Sequence, residues 1–425
     1  ALGLADMPVN REGRAINWAA GFHSAWVFGE EGAAIALDEF LETALERFDA
    51  RSLNSAHEGA SGEQHPTAER FRADKKATAR LSPYLHFGEL SPREVYHRVT
   101  ERQIRGRNKR SANTFLRRLA WRDLAYWALW RFPHAPLRSL RPQYEFQRWD
   151  LGWDPSRDNP KAALQVKKQR WGPAMRASEC PRLRAWQRGE TGFPLVDAAM
   201  REMWVTGYMT NYMRHVTAGF LIEYLNIDWR HGQLWYHDTL VDADVPIQAM
   251  MWQNGGHSGM DQWNFVMHPV FAAKSCDPDG DYVRQWLPAL KGLPREFIHC
   301  PWEAPATLLA AAGVALGRNY PKRIVTNLEA ARRNSLASVV EMRLKEGAQY
   351  VLPDGNEALP LPDGRIARSI TRVDFKVNAK EPMTKQSAAR AWDIRHRPRK
   401  DFMSSAMDEC TGMAERTKSS ARPMG

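Results

Sequence analysis

Residues 240–252 read LVDADVPIQAMMW, and this stretch decides the fold. It holds two aspartates, Asp242 and Asp244, which are separated by one small residue, and it ends in Trp252. Arg214 lies on the preceding predicted helix. A buried Arg–Asp pair is rarely favourable unless further hydrogen bonds satisfy both groups. The stretch therefore indicates either a structural ion pair or a binding site whose ligand supplies those bonds.

Helical patterns surround this stretch on both sides. Apolar residues recur at the spacing of an α-helix, and no clear alternating strand pattern appears. The segments with this spacing are residues 91–103, 113–131, 195–206, 210–225, 306–316 and 326–345. The fold class is therefore predicted to be mainly α.

The chain divides into three predicted regions. Residues 1–77 form a lead-in helix followed by a polar loop from residue 51 onward, where apolar periodicity is lost. Residues 78–345 form the helical domain, which a polar, Lys/Arg-rich insertion interrupts at about residues 150–184. Residues 346–425 form a basic, partly disordered extension with two Pro-Asp-Gly turn signals.

The composition of the chain argues against a membrane protein, a disulfide-rich protein and a metal-binding protein. The longest apolar stretch, residues 216–225, is broken by Glu223. It falls short of the roughly 20 apolar residues that a membrane span needs, so no membrane span is expected. No targeting peptide is visible after Ala1. The cysteines have neither CxxC spacing nor nearby histidine pairs, which argues against disulfides and against a metal site. They are Cys180, Cys276, Cys300 and Cys410. A reducing intracellular compartment is expected, either a plastid or the cytoplasm and nucleus.

The net charge of +11 is unevenly distributed. Residues 365–425 contain 14 Lys and Arg against 7 Asp and Glu, so this tail carries most of the surplus. A solvated, partly disordered extension is favoured over a dedicated nucleic-acid arm. We therefore expect only weak, non-specific nucleic-acid binding, and a protein partner that contacts the extension is a further expectation.

Several segments, taken in order, resemble motifs of the photolyase/cryptochrome family. The first four are TARLSPYLHFGELSPR (78–93), FLRRLAWRD (115–123), WQRGETGFPLVDAAM (186–200) and residues 229–252, which contain LVDADVPIQAMMW. The match continues in CDPDGDYVRQWLPAL (276–290) and PWEAP (301–305). The resemblance implies that residues 78–303 form the family's all-helical, light-reactive domain with non-covalently bound FAD.

The resemblance assigns Thr78, Leu81 and Ser82 to the FAD diphosphate, and Arg122 to the same cofactor. The local pattern agrees with this role, because hydroxyls and free N–H groups just before a helix beginning near Pro83 can hold a pyrophosphate. An ordinary helix N-cap explains the same residues equally well.

A second set of residues matches those around the isoalloxazine ring in the family. There, the residues matching Arg214 and Asp242 pair beside the ring, and the one matching Asp244 reads its polar edge. Asn211 belongs to the same set. Gln248 stands where photolyases place an asparagine that faces flavin N5, and its longer side chain should alter flavin redox tuning.

Tryptophans match the family's electron-transfer chain. Trp252 and Trp229 correspond to two members of the chain that reduces the photoexcited flavin, although core packing alone also explains a buried tryptophan. The third member falls in the predicted insertion, where Trp149, Trp153 and Trp171 remain alternatives.

The chain departs from the family where photolyases bind a flipped pyrimidine dimer. Trp121 keeps one aromatic wall, but Asn254 replaces the second wall and Arg118 replaces the carboxylate that hydrogen-bonds the bases. His215 occupies a position where some relatives use a histidine as proton donor, whereas Asn211 does not provide the other histidine of that pair. A lone histidine is more often an ordinary core or surface residue. These changes argue against dimer repair.

The family's N-terminal α/β antenna domain would precede residues 26–40; we expect this protein to lack it, so that flavin alone would absorb light. The leading hypothesis is a photoreceptor or redox flavoprotein that blue light reduces through the tryptophan chain. The alternatives are a DNA photolyase and a flavin-empty structural subunit of a larger assembly.

Overall fold

The structure is a computed structural model that describes most of the chain. The described residues are 9, 12–17, 19–49, 51–58, 64–105, 109–153, 179–360 and 365–376. Trp171, most of the predicted insertion, and the predicted extension beyond residue 376 lie outside these ranges.

The described part of the chain is mainly α-helical, which confirms the predicted fold class. Its helices, in chain order, are α1 Ala20–Ala25, α2 Gly29–Glu39, α3 Ser82–Phe87, α4 Pro92–Arg105, α5 Lys109–Arg131, α6 Pro181–Arg188, α7 Pro194–Thr206, α8 Asn211–Gly219, α9 Trp229–Thr239, α10 Val245–Gly255, α11 Pro269–Cys276, α12 Asp281–Trp286, α13 Ala306–Ala311 and α14 Leu328–Lys345.

The predicted helix at residues 210–225 changes its hydrogen bonding part-way along. α8 ends at Gly219 and continues directly into a π-helical turn, Phe220–Tyr224. Short π-helical turns inside a helix often occur at functional sites. This one follows the helix that carries Arg214 and holds the buried Glu223.

The structure also contains two short antiparallel hairpins that no alternating pattern indicated. β1 (Arg51–Glu58) pairs with β2 (Gln64–Ala68), and β3 (Glu357–Pro360) pairs with β4 (Ile366–Ser369). The prediction of a loop at residues 51–77 is therefore wrong for its first part. Strand pairing uses backbone hydrogen bonds, which do not depend on the side chains, and β3 has buried residues on both faces, so a hairpin can form without an alternating pattern.

The described residues form two compact units. The first lies within Ala1–Glu346 and also includes Thr371–Lys376, and the second includes Gly347–Ile370. The prediction of one extension after residue 345 is therefore wrong for Thr371–Lys376. In that segment Phe375 is fully buried and packs with Val339 of α14. The polar composition of this segment gave no sign that Phe375 is buried, because the residues that it packs against lie in distant parts of the chain.

The main apolar core of the first unit runs along α6 to α10 and positions the site. Trp186, Trp229 and Phe220 are among its fully buried side chains. A second cluster joins α2, α4 and the start of α5 around Phe40 and Val95. Within the described residues, no helix combines the length and the apolar character needed to cross a membrane.

Candidate functional site

Helices α8, α9 and α10 enclose a small cavity of about 50 Å³, which we call the Trp252 cavity. Its lining combines aromatic rings with amide and charged groups. The lining residues are Asn211, Arg214, His215, Ala218, Tyr236, Ile247, Gln248, Met251, Trp252 and Trp263. Five of these lining residues were predicted from the sequence as site residues. Asn211, Arg214 and His215 come from α8, and Gln248 and Trp252 come from α10.

Arg214 is held at the cavity by a two-point ion pair. Its Nη2 lies 2.9 and 2.8 Å from the two carboxylate oxygens of Asp242, and its Nε donates to the carbonyl oxygen of Met209 at 2.8 Å. Burial alone would lower the pKa of Arg214, but Asp242 and Tyr208 raise it above its usual value. The guanidinium therefore stays charged and fixed in orientation beside the cavity.

Trp252 is buried and contacts two other lining residues. Its Nε1 donates to Oε1 of Gln248 at 3.0 Å, one helical turn away, and its ring meets the ring of Tyr236 edge-on at 5.0 Å. The absence of a side chain at Gly232 allows the indole to approach α9, since a Cβ there would lie 2.2 Å from Trp252 Cη2. The predicted electron donor and the predicted N5 partner are therefore in direct contact.

Asp244 and Arg122 lie together but are not among the lining residues of the Trp252 cavity. The Asp244 Oδ2 atom accepts a hydrogen bond from the Tyr126 hydroxyl at 2.7 Å and lies 3.0 Å from Nη2 of Arg122. The other carboxylate oxygen caps α10 by accepting from the N–H of Ile247. Asp244 therefore joins α5 to α10, and both of its oxygens already have protein partners.

The predicted diphosphate segment lies next to the arginine of the cavity. Ser82 begins α3, whose first turn has no side-chain cap hydrogen bond, and Leu81 is buried. Arg80, between Thr78 and Ser82, places its guanidinium carbon 4.9 Å from the ring centre of Tyr208, and that of Arg214 lies 5.6 Å from the same ring. The segment thus borders the site at the start of a helix whose N-cap makes no side-chain hydrogen bond.

The other predicted tryptophans have different surroundings. Trp229 is buried against Gly256, where a Cβ would lie 2.4 Å from its Cδ1. Trp153 is half-buried and meets His231, two residues beyond Trp229 on α9, at 5.2 Å between ring centres. Trp149 is buried and stacks at 6.3 Å on a histidine of the α10–α11 loop. Trp153 therefore contacts the helix that carries Trp229, and Trp149 contacts the loop that follows the helix of Trp252.

Two of the three predicted substrate residues line a separate cavity of about 130 Å³ between α5 and the opposite face of α10. Trp121 and Asn254 both line it, among mostly apolar side chains. The amide Oδ1 of Asn254 accepts a hydrogen bond from the N–H of Asp261 at 3.2 Å. Arg118 is exposed on α5, one turn before Trp121. Asn254 is therefore engaged with the following loop and offers no aromatic wall.

His215 lies between the cavity and the loop that follows α10. Its ring is 4.6 Å from the ring of Trp263 and 5.7 Å from that of Phe265. Burial, assisted by the charges of Arg118 and Arg214, lowers the pKa of His215 to about 4. Its Nε2 is buried without a hydrogen-bond partner among the described residues. A neutral imidazole with a free ring nitrogen therefore borders the cavity.

Sequence reasoning missed three aromatic residues of the site. Tyr236 follows Trp229 by seven residues, two turns of the same helix, so helical spacing could have placed it on the same face. Tyr208 and Trp263 lie outside helices in the described structure. No periodic signal indicated their positions, because only the packing of the surrounding helices determines where a loop side chain points.

Comparison with known proteins identifies the family. Residues 115–340, more than half of the chain, match the FAD binding domain of DNA photolyase. The chain belongs to the photolyase/cryptochrome family. Its cofactor is accordingly FAD.

Members of this family with different functions are about equally similar to the chain. A deoxyribodipyrimidine photo-lyase of Agrobacterium fabrum is 35% identical over 329 residues, which cover 77% of this chain and 59% of that protein. Cryptochrome-2 of Arabidopsis thaliana is 35% identical over 296 residues, which cover 67% and 44%. A class III photolyase structure from Agrobacterium tumefaciens has a TM-score of 0.64 at 32% identity and covers 80% of this chain and 60% of that one. The chain thus spans about half the length of the curated relatives it matches.

The residues around the Trp252 cavity fit the family's cofactor in their chemistry. Arg214 and Asp242 offer a charged pair, Gln248 an amide, and His215 a buried ring nitrogen without a partner.

Proposed function

We propose that this chain is an FAD flavoprotein that blue light reduces through buried aromatic residues, acting as a photoreceptor or a redox protein. The observation that carries the proposal is the contact of Trp252 with Gln248 and Tyr236 in a cavity that Arg214 also lines. Bound FAD would supply absorption of blue light and an electron acceptor.

Different residues of the chain would bind different parts of FAD. Arg214 and Asp242 would bind the polar part of the isoalloxazine ring, and Gln248 would face its reactive edge. Thr78 and Ser82, with the backbone at the start of α3, would hold the diphosphate. Asn211 is exposed at the rim and His215 lies beside it on α8, so both would border the ring from the outside.

Trp252 is assigned as the electron donor, with Trp229 behind it. A buried indole is suited to this role because its position is fixed, here by the hydrogen bond to Gln248 and by the close approach of α9 at Gly232. We assign Trp153 as the third tryptophan of the electron-transfer chain, at its surface end, because Trp153 is half-buried and contacts the helix that carries Trp229.

Replacement of the proposed donor tests this function. Trp252→Phe keeps a ring in the core but removes the indole donor, so the variant is expected to retain FAD and to lose rapid photoreduction. The measurement is bleaching of flavin absorbance under blue light with an external reductant. Trp204→Phe is the control, because Trp204 is 59% exposed and stacks on Trp235 away from the cavity lining. Equal bleaching rates in all three proteins would remove Trp252 from the mechanism.

DNA repair is the second candidate, because a deoxyribodipyrimidine photo-lyase is among the relatives and Trp121 lines an apolar cavity. Two residues argue against it. Asn254 has its amide oxygen engaged by the following loop, and Arg118 brings a positive charge where photolyases have a carboxylate. Phosphate contacts from such a charge do not distinguish damaged from intact DNA. We expect no light-dependent repair of ultraviolet-damaged oligonucleotides, and repair above the dark control would establish the photolyase function instead.

A further inference from the structure

The backbone at Arg80 adopts a conformation that residues other than glycine rarely take. Its φ is 52°, in the left-handed region. Asn226 and His257 are the other non-glycine residues with a positive φ in the part of the chain that the structure describes. A non-glycine residue in this conformation costs free energy, and it persists only where the surrounding structure offsets that cost. An arginine at this position therefore indicates that its side chain holds the backbone in place.

The Arg80 guanidinium lies between two aromatic rings, Trp26 and Tyr208, which we call the aromatic clamp. Its Cζ atom is 4.9 Å from each ring centre, and the two rings meet edge-on at 5.4 Å. Arg80 is half-buried and makes no hydrogen bond or ion pair to any residue that the structure describes. A guanidinium is attracted to the face of an aromatic ring, more strongly where water is excluded. The two ring contacts therefore hold this side chain.

Both rings of the aromatic clamp are buried and fixed by neighbouring elements. The Nε1 of Trp26 donates to the carbonyl oxygen of Thr206, the last residue of α7, at 2.8 Å. The N–H of Tyr208 donates to Oγ1 of the same threonine at 3.2 Å. The ring of Trp26 also meets that of Tyr84, in α3, edge-on at 6.1 Å. The clamp therefore ties the start of α3 to the end of α7 and to the residue before α2.

We propose that the aromatic clamp positions the Thr78–Ser82 segment for FAD through Arg80. With the guanidinium held between the rings, the backbone at Arg80 stays in the left-handed conformation before the cofactor binds, and the residues next to it keep one orientation. A preformed segment binds more tightly, because the free energy of ordering it is not taken from the binding free energy. The inference rests on the assignment of this segment to the diphosphate in the proposed function. It adds Trp26, which lies outside the residues 115–340 that match the FAD binding domain, as a positioning residue.

Two substitutions of Arg80 separate positioning from a direct contact with the cofactor. Both remove the guanidinium, but glycine adopts the left-handed conformation without cost and alanine does not. Arg80→Ala is expected to release FAD about 5- to 150-fold faster than the wild type, the range that an uncompensated residue in this conformation covers. Arg80→Gly should release FAD more slowly than Arg80→Ala. The measurement is the rise in flavin fluorescence as FAD dissociates from the loaded full chain.

Equal release rates from Arg80→Ala and Arg80→Gly would overturn the proposal, because the backbone conformation at this position would then not matter to the cofactor.

Trp26 provides an independent test from the other side of the contact. Trp26→Leu removes one ring of the clamp and should release FAD about 2- to 30-fold faster, the range that loss of a cation–π contact covers. Trp26→Phe keeps an aromatic face and should restore slow release. Phe40→Leu is the matched control, because Phe40 is a buried ring of the same apolar cluster and packs on Phe48 and Phe115.

Urea denaturation of the two leucine variants distinguishes positioning from a purely structural role. Each variant loses buried aromatic surface, so both should have a lower free energy of unfolding than the wild type. Only Trp26→Leu should also release FAD faster. Release from Phe40→Leu as fast as from Trp26→Leu, or wild-type release from both, would show that the clamp does not position the segment. If Trp26→Leu does not fold, the two variants of the half-buried Arg80 still decide the proposal.

Photoreduction of the same samples separates this inference from the proposed function. Wild-type protein that holds FAD, with the expected order of release rates in the variants but no reduction under blue light, would overturn the proposed function alone. Wild-type protein that blue light reduces, with equal release rates in Arg80→Ala and Arg80→Gly, would overturn the clamp alone.

Discussion

Arg214 and Asp242 are 28 residues apart in the chain and meet at the rim of the Trp252 cavity. Both Asp242 oxygens accept from one guanidinium nitrogen, and a bidentate, charge-assisted contact of this kind fixes orientation as well as charge. The side chains are 20% and 3% exposed, so neither charge is fully solvated. Removal of either side chain would leave the charge of the other without a counter-charge.

Asp242→Ala is therefore expected to lower the free energy of unfolding by up to about 3–5 kcal/mol, the range for breaking a buried pair. FAD retention should fall as well. Urea denaturation and flavin absorbance after purification measure the two effects. Glu329→Ala is the matched control, because the Glu329–Arg333 pair is 78% and 65% exposed and such pairs contribute only ~0–1 kcal/mol. A variant of Asp242 with full flavin and wild-type stability would contradict the assignment.

At the scale of elements, the close packing of α9 on α10 determines where Trp252 lies. Gly232 of α9 is the contact point, since a Cβ built there would be 2.2 Å from Trp252 Cη2 and 2.7 Å from a methyl carbon of Leu221. Trp252 cannot easily withdraw, because Gln248 holds its Nε1 and Tyr236 contacts its ring. A larger residue at position 232 must separate the two helices.

Gly232→Ala is expected to destabilise the protein by about 1–3 kcal/mol through overpacking. This outweighs the roughly 0.5–1 kcal/mol that alanine gains over glycine within a helix. Thermal unfolding measures the change. In Gly219→Ala, where the nearest atom to the new Cβ is 4.0 Å away, stability should be equal or higher. Equal effects at both glycines would show that the packing contact is unimportant.

At the scale of the whole unit, Glu223 joins segments that are far apart in the chain. Its carboxylate oxygens lie 3.2 Å from Nε2 of His257, 3.0 Å from Arg332 and 2.6 Å from Arg372. Burial alone would raise the pKa of Glu223, but these three groups hold it below its usual value. One buried charge therefore connects four segments of the unit, which are the π-helical turn, the α10–α11 loop, α14 and Thr371–Lys376.

Glu223→Gln should lower the free energy of unfolding at pH 7 by about 3–5 kcal/mol, since buried cations lose their counter-charge. Because the folded-state pKa of Glu223 is depressed, its contribution is complete above the unfolded-state value of about 4.3 and is lost as pH falls below it. The stability difference between wild type and variant should therefore shrink below that pH. Urea titrations at several pH values measure this difference.

Glu341→Gln serves as the control for these titrations, because the Glu341–Lys345 pair is largely exposed and should contribute no more than ~1 kcal/mol. If the stability difference for Glu223→Gln were constant between pH 7 and acid pH, the charge of Glu223 would not be the source of the stabilisation.

Much of the fold was predictable from local sequence. The predicted helices at residues 113–131, 195–206 and 326–345 correspond to α5, α7 and α14. Their apolar spacing and the turn residues between them are local properties of the chain. The strands β1 and β2 were missed because their pairing uses backbone hydrogen bonds, which do not require any particular side-chain pattern.

The sequence by itself determined the helical architecture, the family and five of the ten residues that line the Trp252 cavity, because motif spacing and helical periodicity are properties of the chain alone. Only the tertiary structure decided which polar groups face that cavity. It placed Asp244 against Tyr126 and Arg122, paired Gln248 with Trp252, and brought Trp263 to His215. The physical reason is that a side chain's direction depends on helix crossing and loop anchoring, and these are set by contacts between residues remote in sequence.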